Sequence, residues 1–199
     1  MAYYHDLVTR KSWEELQKLR HLLPFVLIGG WAAYLYTKAL TSKDIDVLVD
    51  FDALTSLAEH YALVKNDRLK KYEAVREEVE IDIYLPHYSE LGIPIEELRE
   101  HTRSLEGFTV IAPEYLLALK FYTLTQRGRT PKGEKDFLDA LALLQEGCAK
   151  MQAAREILVA HGHADAPRVF LALLSERTAV PELGLNAHAF AKLRRSIAA

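Results

Sequence analysis

Two aspartates one residue apart, Asp44 and Asp46, stand in the otherwise apolar run "DIDVLVDF", and a third, Asp82, stands in a similar run, "VEIDIYL". Alternate residues of a strand share a face, so Asp44, Asp46 and Leu48 point one way and Ile45, Val47 and Val49 the other. The two anions then lie about 7 Å apart along the strand, a costly placement unless solvent reaches them or a cation neutralises them. Glu80, Asp82 and Tyr84 alternate in the same manner with Val79, Ile81 and Ile83. If the two strands are neighbours, Asp82 joins the Asp44/Asp46 pair in a hard-oxygen site suited to Mg²⁺, which takes one or two carboxylates together with phosphate and water. Two such ions roughly 4 Å apart activate an attacking hydroxyl and stabilise a departing pyrophosphate. Glu80 is the rival third carboxylate, but Asp82 is central, between Ile81 and Ile83. The plainer alternative is an edge strand with a wet polar face.

Upstream, Gly29 and Gly30 close the apolar run "FVLI" and precede "WAAYLYTKAL". Glycines at a strand-to-helix junction let the backbone approach a ligand closely, and the helix start offers free N–H groups to phosphate. Both glycines are therefore candidates for nucleotide binding.

These residues require strands and helices to position them. "SWEELQKLRHLL" (12–23) sets Trp13, Leu16, Leu19 and Leu23 on a helical stripe, with Ser12 and Glu15 as a capping box. "FVLIG" and "DIDVLVDF" are expected as strands, and "WAAYLYTKAL" and "DALTSLAEHYAL" as helices, the latter capped by Asp52. "LKKYEAV" and "VEIDIYLP" form a hairpin around Arg76, Glu77 and Glu78, and "HTRSL" and "FTVIA" another around Glu106-Gly107. A loop and a short helix fill 87–101. After Pro113 the β-type pattern stops. "PEYLLALKFYTLTQR", "EKDFLDALALLQEG" and stretches near 150–160, 165–176 and 186–197 are helical. The partition is an α/β part over 1–112 and a helical part over 113–199, and a cleft between two such parts is a natural ligand site.

Composition narrows the classes. The 199 residues are 50% hydrophobic, enough for a packed core, and the net charge of −3 gives no global drive toward nucleic acid or anionic membrane. The single cysteine, Cys148, excludes an intrachain disulfide and fits a reducing compartment. The first residues lack the apolar core of a signal peptide, and no run approaches the ~20 apolar residues of a bilayer span. The cytoplasm is the expected location. "HGH" at 161–163 is too closely spaced for a metalloenzyme ligand pair and is read as a solvated helix end.

Taken together, "IGGWAAYLYTKALTSKDIDVLVD" and "VEIDIYL" resemble the DNA polymerase β-like nucleotidyltransferase superfamily, with its Gly-Gly or Gly-Ser turn, Asp-x-Asp strand and later third acid. The resemblance implies an α+β nucleotidyltransferase fold, a small mixed sheet flanked by helices and followed by a helical C-terminal part. It implies transfer of a nucleoside monophosphate from an NTP such as ATP, with Asp44, Asp46 and Asp82 as catalytic ligands of Mg²⁺, two ions when the NTP is bound. Asp82 is also the candidate general base.

The C-terminal half resembles the abortive-infection, type IV toxin-like group, in which a lysine in "LLALK" and a "KD-x-x-D" segment border the nucleotide. Here these are Lys120, Lys135, Asp136 and Asp139. Lys120 and Asp136 are assigned to the nucleotide on that ground. Asp136 and Asp139, one helical turn apart, could instead hold Lys120 or cap the helix dipole. Arg127, Arg129, Lys132 and Lys135 make a basic stretch beside them. Leu40 stands where many members have an arginine before the Asp-x-Asp, which leaves Lys43 or Lys38 to grip the triphosphate. Acceptors consistent with the resemblance are a tRNA end or other RNA, a protein, or a small molecule, since antibiotic adenylyltransferases share the Gly-Gly-Trp and Asp-x-Asp features. A toxin with a cognate antitoxin and a catalytically weak nucleotide-binding or antitoxin-like module are the other readings.

Overall fold

Short β-branched runs separated by turn residues become strands, and burial of their apolar faces gathers them into one sheet. The computed structural model describes residues 2–76 and 78–198, with side chains described within 7–76 and 78–197. The chain divides into two compact units, Met1–Ala112 and Pro113–Ala199.

Unit 1 contains, in order, α1 (Ala2–Leu22), β1 (Val26–Ile28), α2 (Gly29–Thr37), β2 (Ile45–Leu48), α3 (Ala53–His60), β3 (Ala62–Asn66), β4 (Lys71–Arg76), β5 (Val79–Tyr84), α4 (Ile95–Glu100), β6 (Thr102–Leu105) and β7 (Phe108–Ile111). The seven strands form one sheet in the order β3-β4-β5-β2-β1-β7-β6. It is mixed: β2 runs parallel to β5 and β1 parallel to β7, while the other neighbours are antiparallel. Register then decides the faces. Val110, Leu27, Val47 and Ile83 lie opposite one another on successive strands and are fully buried. One residue along, Ile28, Asp46, Asp82 and Glu73 form the corresponding row on the other face.

Both expected hairpins are present. The β6–β7 turn uses Glu106 and Gly107, both in the left-handed region (φ 51° and 79°), the geometry of a tight two-residue hairpin. Of the charged triplet between β4 and β5, Glu77 lies outside the described residues.

Three local expectations are corrected. Asp52 precedes α3 but is already helical in backbone (φ −62°, ψ −28°), and its side chain makes no capping bond. The second helix was expected to reach Leu63, but α3 stops at His60, Tyr61 is extended (φ −134°, ψ 145°), and β3 begins at Ala62. Tyr61 closes the helix, its N–H donating to Leu57 O at 2.8 Å, and its hydroxyl donates to Glu15 Oε1 at 2.7 Å in the interior. Ser12 and Glu15 are likewise not a capping box, because α1 starts ten residues earlier and both lie within it, buried. Ser12 Oγ accepts from Trp31 Nε1 at 2.8 Å. Glu15 accepts from Tyr61 and pairs with Lys18 at 2.9 Å. Burial alone would raise the Glu15 pKa, but these donors outweigh it and hold the carboxyl below its ordinary range.

Unit 2 contains α5 (Pro113–Arg127), α6 (Pro131–Gln145), α7 (Met151–Ala160), α8 (Pro167–Glu176), a 3₁₀ turn (Pro181–Leu183) and α9 (Ala187–Ala198). α5 packs against α6, α7 and α8. Its apolar positions, Leu116, Leu117, Leu119, Phe121 and Leu124, are all buried. Phe170 joins Phe121 and Phe137 with ring centroids 4.9 and 5.3 Å apart. α6 starts cleanly because Thr130 accepts from Gly133 N at 3.1 Å and Pro131 occupies the first turn. No helix among the described residues is long and apolar enough to cross a membrane.

Ser12 and Trp31 are both buried, so Ser12→Ala leaves the indole N–H without its partner. Urea unfolding should show a loss of about 1–3 kcal/mol.

Candidate functional site

The carboxylates meet because β2 and β5 pair in parallel with Asp46 directly opposite Asp82. On the far side of β5, Glu73 of β4 is also opposite Asp82, so three carboxylates form a row across adjacent strands. Asp44 immediately precedes β2 and is half-buried, and its charge acts on Asp82. Glu80, the rival third acid, is exposed and pairs with Val75, outside the row.

Lys71 enters the row from the same face as Glu73, two residues away on β4. Its ammonium lies 2.6 Å from Asp82 Oδ2 and 3.0 Å from Glu73 Oε1. Asn66 Nδ2 donates to the same Glu73 oxygen at 2.9 Å. The Lys71 and Asp82 side chains are 11% and 15% exposed, dry enough for these charges to be felt strongly. Burial pushes the Asp82 carboxyl above its ordinary pKa; Asp44 and Glu73 reinforce the rise against the pull of Lys71. Burial would lower Lys71, but Asp82 and Glu73 overcome it and keep the ammonium charged. Sequence reading missed Lys71 and Glu73. The signal was the alternation in "LKKYEAV", which places both on one face, but a lysine and a glutamate on a strand are ordinary until their neighbours are known.

Gly29 explains itself by contact. It begins α2 with φ +67°, and a Cβ there would stand 2.1 Å from Asp46 Oδ2. The glycine therefore lets the carboxylate lie flat against the helix start. Gly30 is buried in the first turn of α2, whose N-cap, Ile28, provides no side-chain cap. Lys43 is exposed and Leu40 half-buried. Lys38 closes α2 in the left-handed region, lies 4.9 Å from the Tyr34 ring centre, and pairs with Glu106. The same turn is gripped by Arg20, whose Nη1 donates to the Glu106 carbonyl at 3.2 Å.

The donor set suits Mg²⁺ in kind, since all the oxygens are hard and anionic. Its arrangement is less complete: among the described residues no group of three His, Cys, Asp or Glu side chains is gathered to hold a metal ion. Asp82, the third carboxylate, already faces the Lys71 ammonium. Asp44, Asp46 and Asp82 are the residues that would hold an ion.

The candidates in unit 2 form a separate network. Lys120 is fully enclosed and donates to Asp136 Oδ1 and Asp139 Oδ2, both at 2.8 Å. Arg127 donates to Asp136 at 2.7 Å, and Lys135 reaches Asp139 at 3.1 Å. Of the alternatives for Asp136 and Asp139, holding Lys120 is thus the one seen. Burial would lower the Lys120 pKa, but the two aspartates outweigh it and raise it above the lysine range. Burial would raise Asp136, but Lys120 and Arg127 hold it below the carboxylate range. Arg129 turns elsewhere, to Glu176 at 2.6 Å. His161 ends α7, and His163 stacks on Tyr122 at 4.6 Å.

No protein-family model matches the sequence, and neither does any curated protein. Among solved structures, the chain is similar to the antibiotic-resistance factor ANT(2'')-Ia, at 15% identity and a TM-score of 0.53, over 88% of this chain and 97% of that one. It is also similar to an antigenic nucleotidyltransferase-like protein from Paracoccidioides brasiliensis (18% identity, TM-score 0.45, 83% and 92% covered) and to JHP933 from Helicobacter pylori (13%, 0.47, 96% and 93%). The first similarity, with the mixed sheet, establishes the fold expected from the sequence, the α+β nucleotidyltransferase fold.

Gly29→Ala combines a left-handed backbone with a clash on Asp46, and thermal or urea unfolding should show a loss of roughly 2–5 kcal/mol. Lys120→Met takes from two buried carboxylates their shared buried cation, leaving Asp136 with Arg127 and Asp139 with Lys135, so at pH 7 unit 2 should lose up to about 3 kcal/mol. In the native chain Asp136 is held below its unfolded pKa, so its contribution is present above that pKa and is lost as pH falls through the folded value. The gap between native and variant stability, followed by urea titration, should therefore narrow on acidification.

Proposed function

We propose that the chain is a Mg²⁺-dependent nucleotidyltransferase that moves a nucleoside monophosphate from an NTP to an acceptor hydroxyl. The observation that supports this best is the in-register pairing of Asp46 with Asp82, with Asp44 beside them and Gly29 touching Asp46. When bound, Mg²⁺ neutralises triphosphate charge and lowers the cost of activating the hydroxyl. Asp44 and Asp46 hold the ion. Asp82, the third ligand in this reading, also accepts the hydroxyl proton as the acceptor oxygen bonds to the α-phosphorus and the bond to pyrophosphate breaks. Gly29 and Gly30 bring the uncapped start of α2 toward phosphate, and exposed Lys43 supplies a mobile cation. For Lys120 and Asp136 a nucleotide contact requires one member of their buried network to exchange partners, so their part in this proposal is secondary.

For the acceptor we favour a small molecule, because the structural neighbour ANT(2'')-Ia is an antibiotic-resistance factor. A tRNA end or a protein, with a toxin role and a cognate antitoxin, follows from the sequence resemblance alone. The single cysteine suits the cytoplasm as the setting. The grip of Lys71 on Asp82 favours one second reading, a nucleotide-binding module with little turnover. Calorimetry separates the two: triphosphate binding that survives EDTA, with no pyrophosphate released on any acceptor, supports the module.

Incubation with labelled NTPs, MgCl₂ and candidate acceptors should label an acceptor with the native chain. Asp82→Asn should slow the transfer by roughly 10²- to 10⁴-fold, and Asp44→Asn, which removes a ligand of the ion, should reduce Mg²⁺-supported labelling to background. Equal labelling by native and Asp44→Asn proteins overturns the proposal.

A further inference from the structure

Lys71 has no part in the chemistry proposed above, yet it is among the few buried charged residues of unit 1. A lysine seldom accepts such burial without partners. Here β4 fixes the stem between β3 and β5, and the ammonium spans Asp82 and Glu73, while Asp44 and Asp46 add negative charge to the same face. An ammonium 2.6 Å from Asp82 Oδ2 and a divalent ion seeking that oxygen exclude each other. Glu73 makes exchange feasible: Lys71 can leave Asp82 and still have a carboxylate 3.0 Å away. It is thereby spared the cost of standing buried and unpaired.

We infer that Lys71 is a built-in counter-ion for the third carboxylate, resting on Asp82 when no divalent ion is bound and passing to Glu73 when one arrives. It thereby sets the metal concentration at which Asp82 becomes available. This rests on the reading of Asp44, Asp46 and Asp82 as metal ligands, and deepens it from the identity of the ligands to the control of their occupancy.

The test is Mn²⁺ binding to the full chain, followed by electron paramagnetic resonance without nucleotide, so that turnover plays no part. Lys71→Met removes the competitor and should tighten Mn²⁺ binding by roughly three- to tenfold. The same variant should melt earlier than the native chain in EDTA and regain the difference with Mn²⁺. Glu73→Gln removes the second resting place and should weaken binding. In the double variant the effect of Glu73→Gln should vanish, because it acts through the ammonium. Lys71→Arg keeps the charge and clamps a carboxylate with two donors, so it should bind Mn²⁺ more weakly, and it serves if the methionine variant does not fold. Unchanged or weaker Mn²⁺ binding by Lys71→Met overturns the inference, as does unchanged binding by Lys71→Arg. A Glu73→Gln effect of full size in the Lys71→Met background does so too, since only a through-space field then acts. If native and Lys71→Met proteins both fail to bind Mn²⁺, the metal reading itself falls, and this inference with it. Native binding with no change in the variants overturns the role of Lys71 alone.

Discussion

Asp46 and Asp82 stand opposite each other on neighbouring parallel strands, and the charges of Asp44 and Glu73 act on the mostly buried Asp82, so that like charges repel along one face of the sheet. The surroundings of the row answer that repulsion. Gly29 gives Asp46 room by having no side chain, and Lys71 gives Asp82 a partner while drawing in Glu73. The apolar row on the other face, Val110, Leu27, Val47 and Ile83, anchors the register that forces the acids together. Slipping β2 by one residue would turn Asp46 into that core, so hydrophobic burial on one face enforces charge crowding on the other.

Unit 2 treats buried charge differently. Around Lys120, every charged group is matched within a closed network of Asp136, Asp139, Arg127 and Lys135. Such a network specifies how α5 and α6 register, because a lysine enclosed among leucines is tolerable in one alignment only. In unit 1 Lys71 lies between two acids of the row, Asp82 and Glu73; in unit 2 the charges are satisfied by one another.

Alternation made the faces of β2 and β5 legible, and with them the shared side of Asp44, Asp46 and Asp82. Turn residues marked both hairpins, and the change of period near Pro113 marked the start of the helices. What alternation cannot state is who stands beside whom. The place of Lys71 between Asp82 and Glu73 depends on pairing between β4 and β5, and the role of Ser12 on an indole from α2. Ser12 and Glu15 matched a local capping pattern because that pattern also describes two polar residues on the inner side of a longer helix. β3 escaped notice for a related reason: its residues are mostly exposed, so it has little apolar period to read, and Tyr61 joins the helical run by type while its hydroxyl is drawn elsewhere.

The mixed order of the sheet has a kinetic side. The hairpins β3–β4, β4–β5 and β6–β7 join strands that are close in sequence, and their loops close at little entropic cost. β2 reaches β5 across α3 and two intervening strands, and β1 reaches β7 across most of the unit. Non-local parallel pairings of this kind are the slow ones. Lys71, Glu73 and Asp82 thus lie within one local hairpin, whereas Asp46 is brought to them only by the non-local β2–β5 pairing, so the crowded face of the sheet depends on its most distant contacts in sequence.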